Sequence, residues 1–362
     1  MLINLVKNIK KNIDKYKLKK KIKILKRKSK KKLTVKEKNE IVKFYSKYNL
    51  TPSVDWHEYY KYYIDFNKKN IPEDLFYLFI EQKLNNKKQA FSYEDKNMYS
   101  KIYKSFKMPK SYLRNINGKY LNENYERTNY IEIIENLKNG EYILKKTLET
   151  SGGKDVFSFY KKENEYYNLK NGEKINIDKK ILEFKKNFIL QEKIEQSFTT
   201  SKFHQNSLNT IRIISYRGEN NKVNILSAVL RIGSNGSIVD NPYTSGGFTV
   251  GIDMKNGILK SIGVDKNNTI IQDIHPYTKV KFSGEVLPNF EKLQNLIKLY
   301  HLDVPEYFDL ISWDIGIDKN DDFIFIELNL LGQEINFHQK TNGPLFGDLT
   351  EEVLERVFLR KD

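Results

Sequence analysis

Apolar positions fall into three regimes along the chain. From Leu2 they recur at three- and four-residue spacing (Leu2, Leu5, Val6, Ile9, Ile13, Tyr16), one stripe of a helix with lysines at most other positions. Residues 36 to about 106 also read as helical. Asp55–Phe66 clusters Trp56, Tyr59, Tyr60 and Tyr63, and Pro72–Leu84 opens on a proline and offers Leu75, Phe76, Leu78 and Phe79 for burial. After Met108-Pro109 the period shortens. Strand-like runs at Tyr142–Leu144, Phe188–Gln191, Asn209–Tyr216 and Val223–Ile232 are separated by Gly/Asn/Asp turns. Two apolar runs, Asp309–Ile317 and Phe323–Leu330, are joined by Asp318-Lys319-Asn320-Asp321-Asp322 and predict a hairpin. Helices over Pro288–Tyr300 and Thr350–Leu359 come late in the chain, and no internal repeat is visible. The pattern predicts an arm over 1–35, a helical region over 36–106, and an α+β body beyond it.

Composition narrows the classes. At 362 residues with 39% hydrophobic and 13% aromatic side chains, the chain can bury a sizeable core, which excludes global disorder. It has no cysteine, so a disulfide framework, a thiolate nucleophile and a cysteine-based zinc or iron–sulfur site are excluded. Five scattered histidines without His-Glu-x-x-His spacing argue against a histidine metal site. No stretch approaches the roughly 18–20 apolar residues of a membrane span. The apolar start Met1–Val6 meets Lys7 too early for a signal-peptide core, so the cytoplasm is the expected compartment.

The net charge of +17 is not spread evenly. Residues 1–50 hold 19 basic and three acidic side chains, and the other 312 residues are close to neutral, with 44 basic and 43 acidic. A basic amphipathic helix suits an anionic membrane surface, which would put residues 1–35 at the inner membrane face. The plainer alternative is a solvated charge run whose stripe docks on its own domain. Nucleic acid is the weakest candidate partner, because no basic patch is visible beyond residue 50.

The chemistry-bearing residues lie in the body. Asp314 interrupts the first strand of the predicted hairpin; Glu327 and Asn329 interrupt the second, two apart and so on one face. Three oxygen-bearing side chains aimed from adjacent strands suit a hard cation, Mg²⁺ above all, since ionised groups in apolar strands are costly to bury without a metal or a partner; the plainer alternative is that one or two of them cap strand ends or sit at the rim. Upstream, a strand ends at Lys145-Lys146 and is followed by Thr150-Ser151-Gly152-Gly153-Lys154-Asp155. Glycines there let backbone N–H groups approach phosphate, with Lys145 and Lys154 supplying charge, although Ser-Gly-Gly is also an ordinary hairpin loop. No Walker or Gly-x-Gly-x-x-Gly pattern is present. Gln191-Glu192-Lys193-Ile194 ends another strand, and Arg212 and Arg231 sit in hydrophobic strands, where they either face a cleft or form structural ion pairs.

Taken in order, the strand lysine, Gly-rich loop, Gln-Glu-x-Ile hinge, Asn-Thr-x-Arg strand, Asp314 and Glu327-x-Asn329 resemble the ATP-grasp superfamily. Val239-Asp240-Asn241 with Ser245-Gly246-Gly247, and Gln339 with Gly343-Pro344, are similar to its sugar-transfer-associated family in particular. The resemblance runs from about Asp95-Lys96-Asn97 to the C-terminus. It implies an α+β ATP-grasp fold, two α+β subdomains over 107–196 and 197–362 clasping ATP, preceded by the helical region and basic helix. It implies ATP phosphates at Lys145, Gly152, Gly153 and Lys154, and adenine against Gln191, Glu192, Lys193 and Ile194. It further implies transition-state charge at Arg212 and Arg231, Mg²⁺ at Asp314, Glu327 and Asn329, and, more weakly, acceptor substrate at Asp240, Asn241, Gly246 and Gly247. The implied activity is ATP-dependent joining of a carboxylate to an amine through an acyl phosphate, with a small-molecule or glycan sugar acid of surface polysaccharide as acid. A small-molecule kinase and a membrane-tethered, non-catalytic nucleotide-binding protein are the alternatives. Lys146 stands where the family usually has proline and Asp155 where it has glycine, so the loop geometry departs from the pattern.

Overall fold

Among the described residues, thirteen strands build two wholly antiparallel sheets. The structure, a computed structural model, describes residues 2–27, 31–148, 155–237, 240 and 246–360, with side chains from Asn12 onward.

The smaller sheet contains β1 (Ser111–Ile116), β2 (Lys119–Leu121), β3 (Gly140–Lys146), β4 (Val156–Lys162), β5 (Glu165–Asn168) and β6 (Phe188–Glu192), in the order β2-β1-β6-β3-β4-β5. Leu113, Leu144, Phe159 and Phe188 on one face pack against Ile134 of helix Tyr130–Glu135 and Ile177 and Ile181 of helix Ile177–Glu183. The larger sheet contains β7 (Thr210–Arg217), β8 (Val223–Ile232), β9 (Phe248–Ile252), β10 (Leu259–Asp265), β11 (Ile270–Gln272), β12 (Leu310–Ile317) and β13 (Phe323–Asn329), in the order β11-β10-β9-β8-β7-β12-β13.

The larger sheet is covered on both sides. Ile213, Trp313 and Ile315 meet helix Phe290–Asp303. Ile214, Tyr216 and Leu310 on the other side meet helices Val35–Ser46 and Thr350–Phe358 and the segment around Phe76. Every residue of β7 and β12 is buried, which is why these strands read as nearly continuous apolar runs. The helical region is therefore a wall of the larger sheet. Gln339 fastens it there, accepting from the Ile71 N–H and donating to the Ile71 carbonyl, both at 2.8 Å.

Four elements depart from the sequence expectation. The helix from Asp55 ends at Lys61, and Pro72–Leu84 is divided into Glu73–Leu75, a π-helical turn Phe76–Ile80, and Glu81–Leu84. Helix Ile335–Asn342 is not foreseen, because it buries polar His338, Gln339, Lys340 and Thr341 alongside Ile335 and Phe337 and so lacks an apolar period. Helix Leu2–Lys26 docks through Ile22, which packs on Trp56, Tyr59, Tyr60 and Tyr63, while Ile13 and Tyr16 of the predicted stripe are exposed. Glu58 accepts from Lys32 at 3.1 Å and from the Leu33 N–H at 3.3 Å, tying down the segment that follows the helix.

Candidate active site

Register gathers the charges. On neighbouring strands Arg212 lies opposite Asp314 and Asp314 opposite Glu327, so the three side chains form one row across β7, β12 and β13. Arg231, opposite Thr210, projects on the same face one step along. This face looks across a cleft of about 520 Å³ at the end of the smaller sheet, where Lys145, Gln191, Glu192, Lys193 and Ile194 form the opposing wall.

The row is tightly bonded. Arg212 Nε and Nη2 each donate to Asp314 at 2.7 Å, and Arg231 Nη1 donates to the same carboxylate at 2.8 Å. Arg212 also donates to Glu334, and Arg231 lies 3.4 Å from Asp240. Burial works against the Arg212 charge, but Asp314 and Glu334 outweigh it and raise its pKa well above the ordinary value. Asp240 accepts from the Thr210 N–H at 3.0 Å and from the Thr210 hydroxyl; burial raises its carboxyl despite Arg231.

Across the cleft, Lys96 Nζ meets Glu327 at 2.8 Å. Burial would raise the Glu327 carboxyl, yet Lys96, with Arg212 behind it, holds it well below the carboxylate range. Lys145 lines the same space. Burial, and then repulsion from Lys96, lower its ammonium to about 8 against the pull of Glu327.

The predicted metal trio consists of two carboxylates and an amide; among the described residues no group of three or more His, Asp or Glu side chains is gathered to hold an ion. The chemistry still fits Mg²⁺. Asp314 Oδ2 accepts from both arginines, but its Oδ1 accepts from Arg212 Nε and keeps a second lone pair, and Asn329 Nδ2 is buried without a hydrogen-bond partner among the described residues. Turning that amide would present its oxygen in the same place.

The other expected residues divide. Gln191 is fixed by its side chain, donating to Ser111 Oγ at 3.1 Å. The Glu192 N–H goes to Lys110 O and the Lys193 N–H to Glu141 O, both at 2.9 Å, so Ile194 is the first hinge residue beyond these bonds. Gly152, Gly153, Lys154 and Asn241 lie outside the described residues. Gly246 and Gly247 are not among the cleft-lining residues; a Cβ on Gly247 would stand 2.6 Å from the Ile232 carbonyl, which accounts for that glycine by close backbone approach. Lys146, in place of the family's proline, borders the cleft, and its ammonium donates to the carbonyls of Phe184 and, at 2.6 Å, Lys186.

Sequence reasoning missed four acid or base groups. Lys96 and Glu334 enter the cleft from a loop and from a helix start. Glu94 lines it and Glu81 stands behind it; they accept from the N–H groups of Leu330 and Gly332, both at 2.6 Å, and so shape the loop that ends in Glu334. Glu334 itself has φ +57°, a left-handed residue that turns its carboxylate toward Arg212. The only available signal was that an acid directly follows Leu330-Leu331-Gly332-Gln333.

No curated protein sequence matches the chain. Among solved structures it resembles N5-carboxyaminoimidazole synthetase from Staphylococcus aureus complexed with ADP (TM-score 0.38, 11% identity, 67% of this chain and 45% of that one). It also resembles VanG D-Ala:D-Ser ligase from Enterococcus faecalis (0.40, 12%, 73% and 60%) and the D-alanine-D-alanine ligase from Coxiella burnetii (0.38, 8%, 73% and 58%). The chain thus spans about half the length of the structures it matches. The profile of the family described as sugar-transfer associated ATP-grasp matches residues 79–354, starting inside the helical region and taking in Glu81 and Glu94. That match covers about three quarters of the chain and agrees with the two sheets and the cleft between them: the protein belongs to the sugar-transfer-associated ATP-grasp family.

Proposed function

We propose that the protein is an ATP-dependent carboxylate–amine ligase that amidates a sugar acid during surface polysaccharide synthesis. The observation that carries this reading is the row Arg212, Asp314 and Glu327, with Arg231 beside it, facing Lys145 across one cleft. In the proposed reaction a substrate carboxylate oxygen attacks the γ-phosphorus of ATP, the bond to ADP breaks, and an acyl phosphate forms. An amine then attacks the acyl carbon, expels phosphate and loses a proton.

Side chains need do no covalent work in this sequence. Lys145, and Lys154 from the Gly152-Gly153 loop, hold the polyphosphate, while Gln191 to Ile194 border the adenine. Arg212 and Arg231 are already oriented by Asp314, so their remaining N–H groups meet charge as it grows on the transferring phosphoryl and the acyl oxygen without reorganising. Asp314, Glu327 and Asn329 would hold Mg²⁺, which when bound neutralises phosphate charge. Asp240, which lines the cleft, and its neighbour Asn241 fall to the acceptor side, and a closed cleft keeps water from the acyl phosphate.

The test is ADP release from MgATP with pairs of uronic acids and amines, followed by mass analysis of the product. An amide supports the ligase. A phosphate ester would instead identify a small-molecule kinase, and unchanged turnover by the Asp314→Asn, Glu327→Gln double variant would overturn the site assignment.

A further inference from the structure

The helix Leu2–Lys26 has two unlike faces. On one, Ile22 is 3% exposed against the aromatic cluster around Trp56. Lys21 and Lys26 lie 2.5 Å from Glu73 and Asp55 and pin that face to the body. At about 100° per residue, Ile13 lies half a turn around the helix from Ile22. There the surface is open: Ile13, Tyr16 and Ile24 are 48%, 69% and 52% exposed. The sequence continues that row through Leu2, Leu5, Val6 and Ile9. Past Tyr16 the same side carries exposed Lys20, Lys23 and Arg27 around Ile24, with exposed Lys17 at its edge, and Asp14 is the one acid in the first 36 residues.

We propose that this outward row is the seat for an anionic membrane surface. The apolar side chains enter the boundary between headgroups and acyl chains while the flanking lysines meet lipid phosphate. Each face supports the idea in its own way. The docked face holds the helix on the body, so the open row is presented outward and not folded back onto it. The open face combines apolar and cationic groups, which only an interface with both an apolar and an anionic layer satisfies together. A second copy of the chain would bring the same lysines together across the contact. Nucleic acid would meet the lysines but leave Ile13 and Ile24 without an apolar partner. The proposal goes beyond the ligase reading and does not depend on it.

The test uses the full chain with vesicles of phosphatidylcholine alone or mixed with phosphatidylglycerol. The protein is expected to sediment with the mixed vesicles, much less with neutral ones, and less as salt is raised. The Ile13→Asp, Ile24→Asp double variant should partition about tenfold more weakly or worse, with an unchanged melting midpoint because both positions are exposed. Equal sedimentation of the double variant, or none of the native chain, overturns the proposal. So does a dimer in light scattering that the double variant abolishes, since the row then belongs to a second copy. Binding of RNA that survives the double variant while vesicle binding is absent overturns it as well.

Discussion

Arg212 and Asp314 stand directly opposite each other on adjacent strands and join through two parallel hydrogen bonds of 2.7 Å. Because Arg231 uses the same carboxylate, one buried aspartate orients two guanidiniums at the floor of the cleft. Such a pair contributes little net stability against the cost of desolvating it, and its value lies in orientation. Glu334 and Asp240 complete the set, so three carboxylates hold the two guanidiniums in place at the floor.

Asp314→Asn tests this directly. The amide fills the same volume but leaves two buried cations short of an anion, a change expected to cost about 3–5 kcal/mol. Urea denaturation should show a lower midpoint with an unchanged slope. A stability within error of the native chain would mean that the arginines are solvated and not held by Asp314.

Lys145 predicts a pH signature for nucleotide binding. Its pKa is lowered from 10.5 to about 8, so between those values the unfolded chain carries a proton that the folded chain lacks. For this group alone, stability rises with pH across that window. Polyphosphate beside Lys145 would restore its charge, so MgADP binding should take up protons above pH 8 and weaken by up to about tenfold per pH unit. Calorimetry in two buffers of different ionisation enthalpy measures the uptake. Lys145→Arg should abolish it, and a native chain without uptake would place Lys145 away from the phosphates.

The row on β7, β12 and β13 was legible because strand alternation exposes any ion in an apolar run, and Arg212, Asp314 and Glu327 are such ions. The register that aligns them was not, since it depends on which strands pair. Lys96 and Glu334 escaped because neither sits in a periodic element. Helix Ile335–Asn342 escaped because long-range bonds, such as Gln339 to Ile71, and not an apolar face, secure it. The N-terminal segment is a helix, as its spacing predicts, but that spacing could not say that Ile22, on the side opposite Ile13, is the residue that docks.

Glu81 links the helical region to the cleft loop. Burial raises its carboxyl to about 7 although it accepts from the Gly332 N–H. The folded chain therefore keeps a proton that the unfolded chain has lost, and this contribution is full below 4.5 and disappears as pH rises through about 7. Glu81→Gln should remove that slope, of order 1–3 kcal/mol over the window, while keeping an acceptor for Gly332. Unfolding free energies across this pH range check it, and parallel curves for variant and native chain would refute the buried, protonated state.

Ile22 and Ile13 belong to one helix and should answer differently to the same truncation. Ile22 is buried among Trp56, Tyr59, Tyr60 and Tyr63, so Ile22→Ala removes methylene contacts and leaves a cavity, at a cost of about 2–4 kcal/mol. Ile13 is 48% exposed, and Ile13→Ala should change stability by no more than about 0.5 kcal/mol. The unfolding need not be two-state for the contrast to be read. If the helix melts separately from the sheets, Ile22→Ala lowers the first transition alone, and limited proteolysis should then release the segment before Lys32, which Glu58 holds to the body. Equal effects of the two truncations would mean that the helix does not rest on the aromatic cluster.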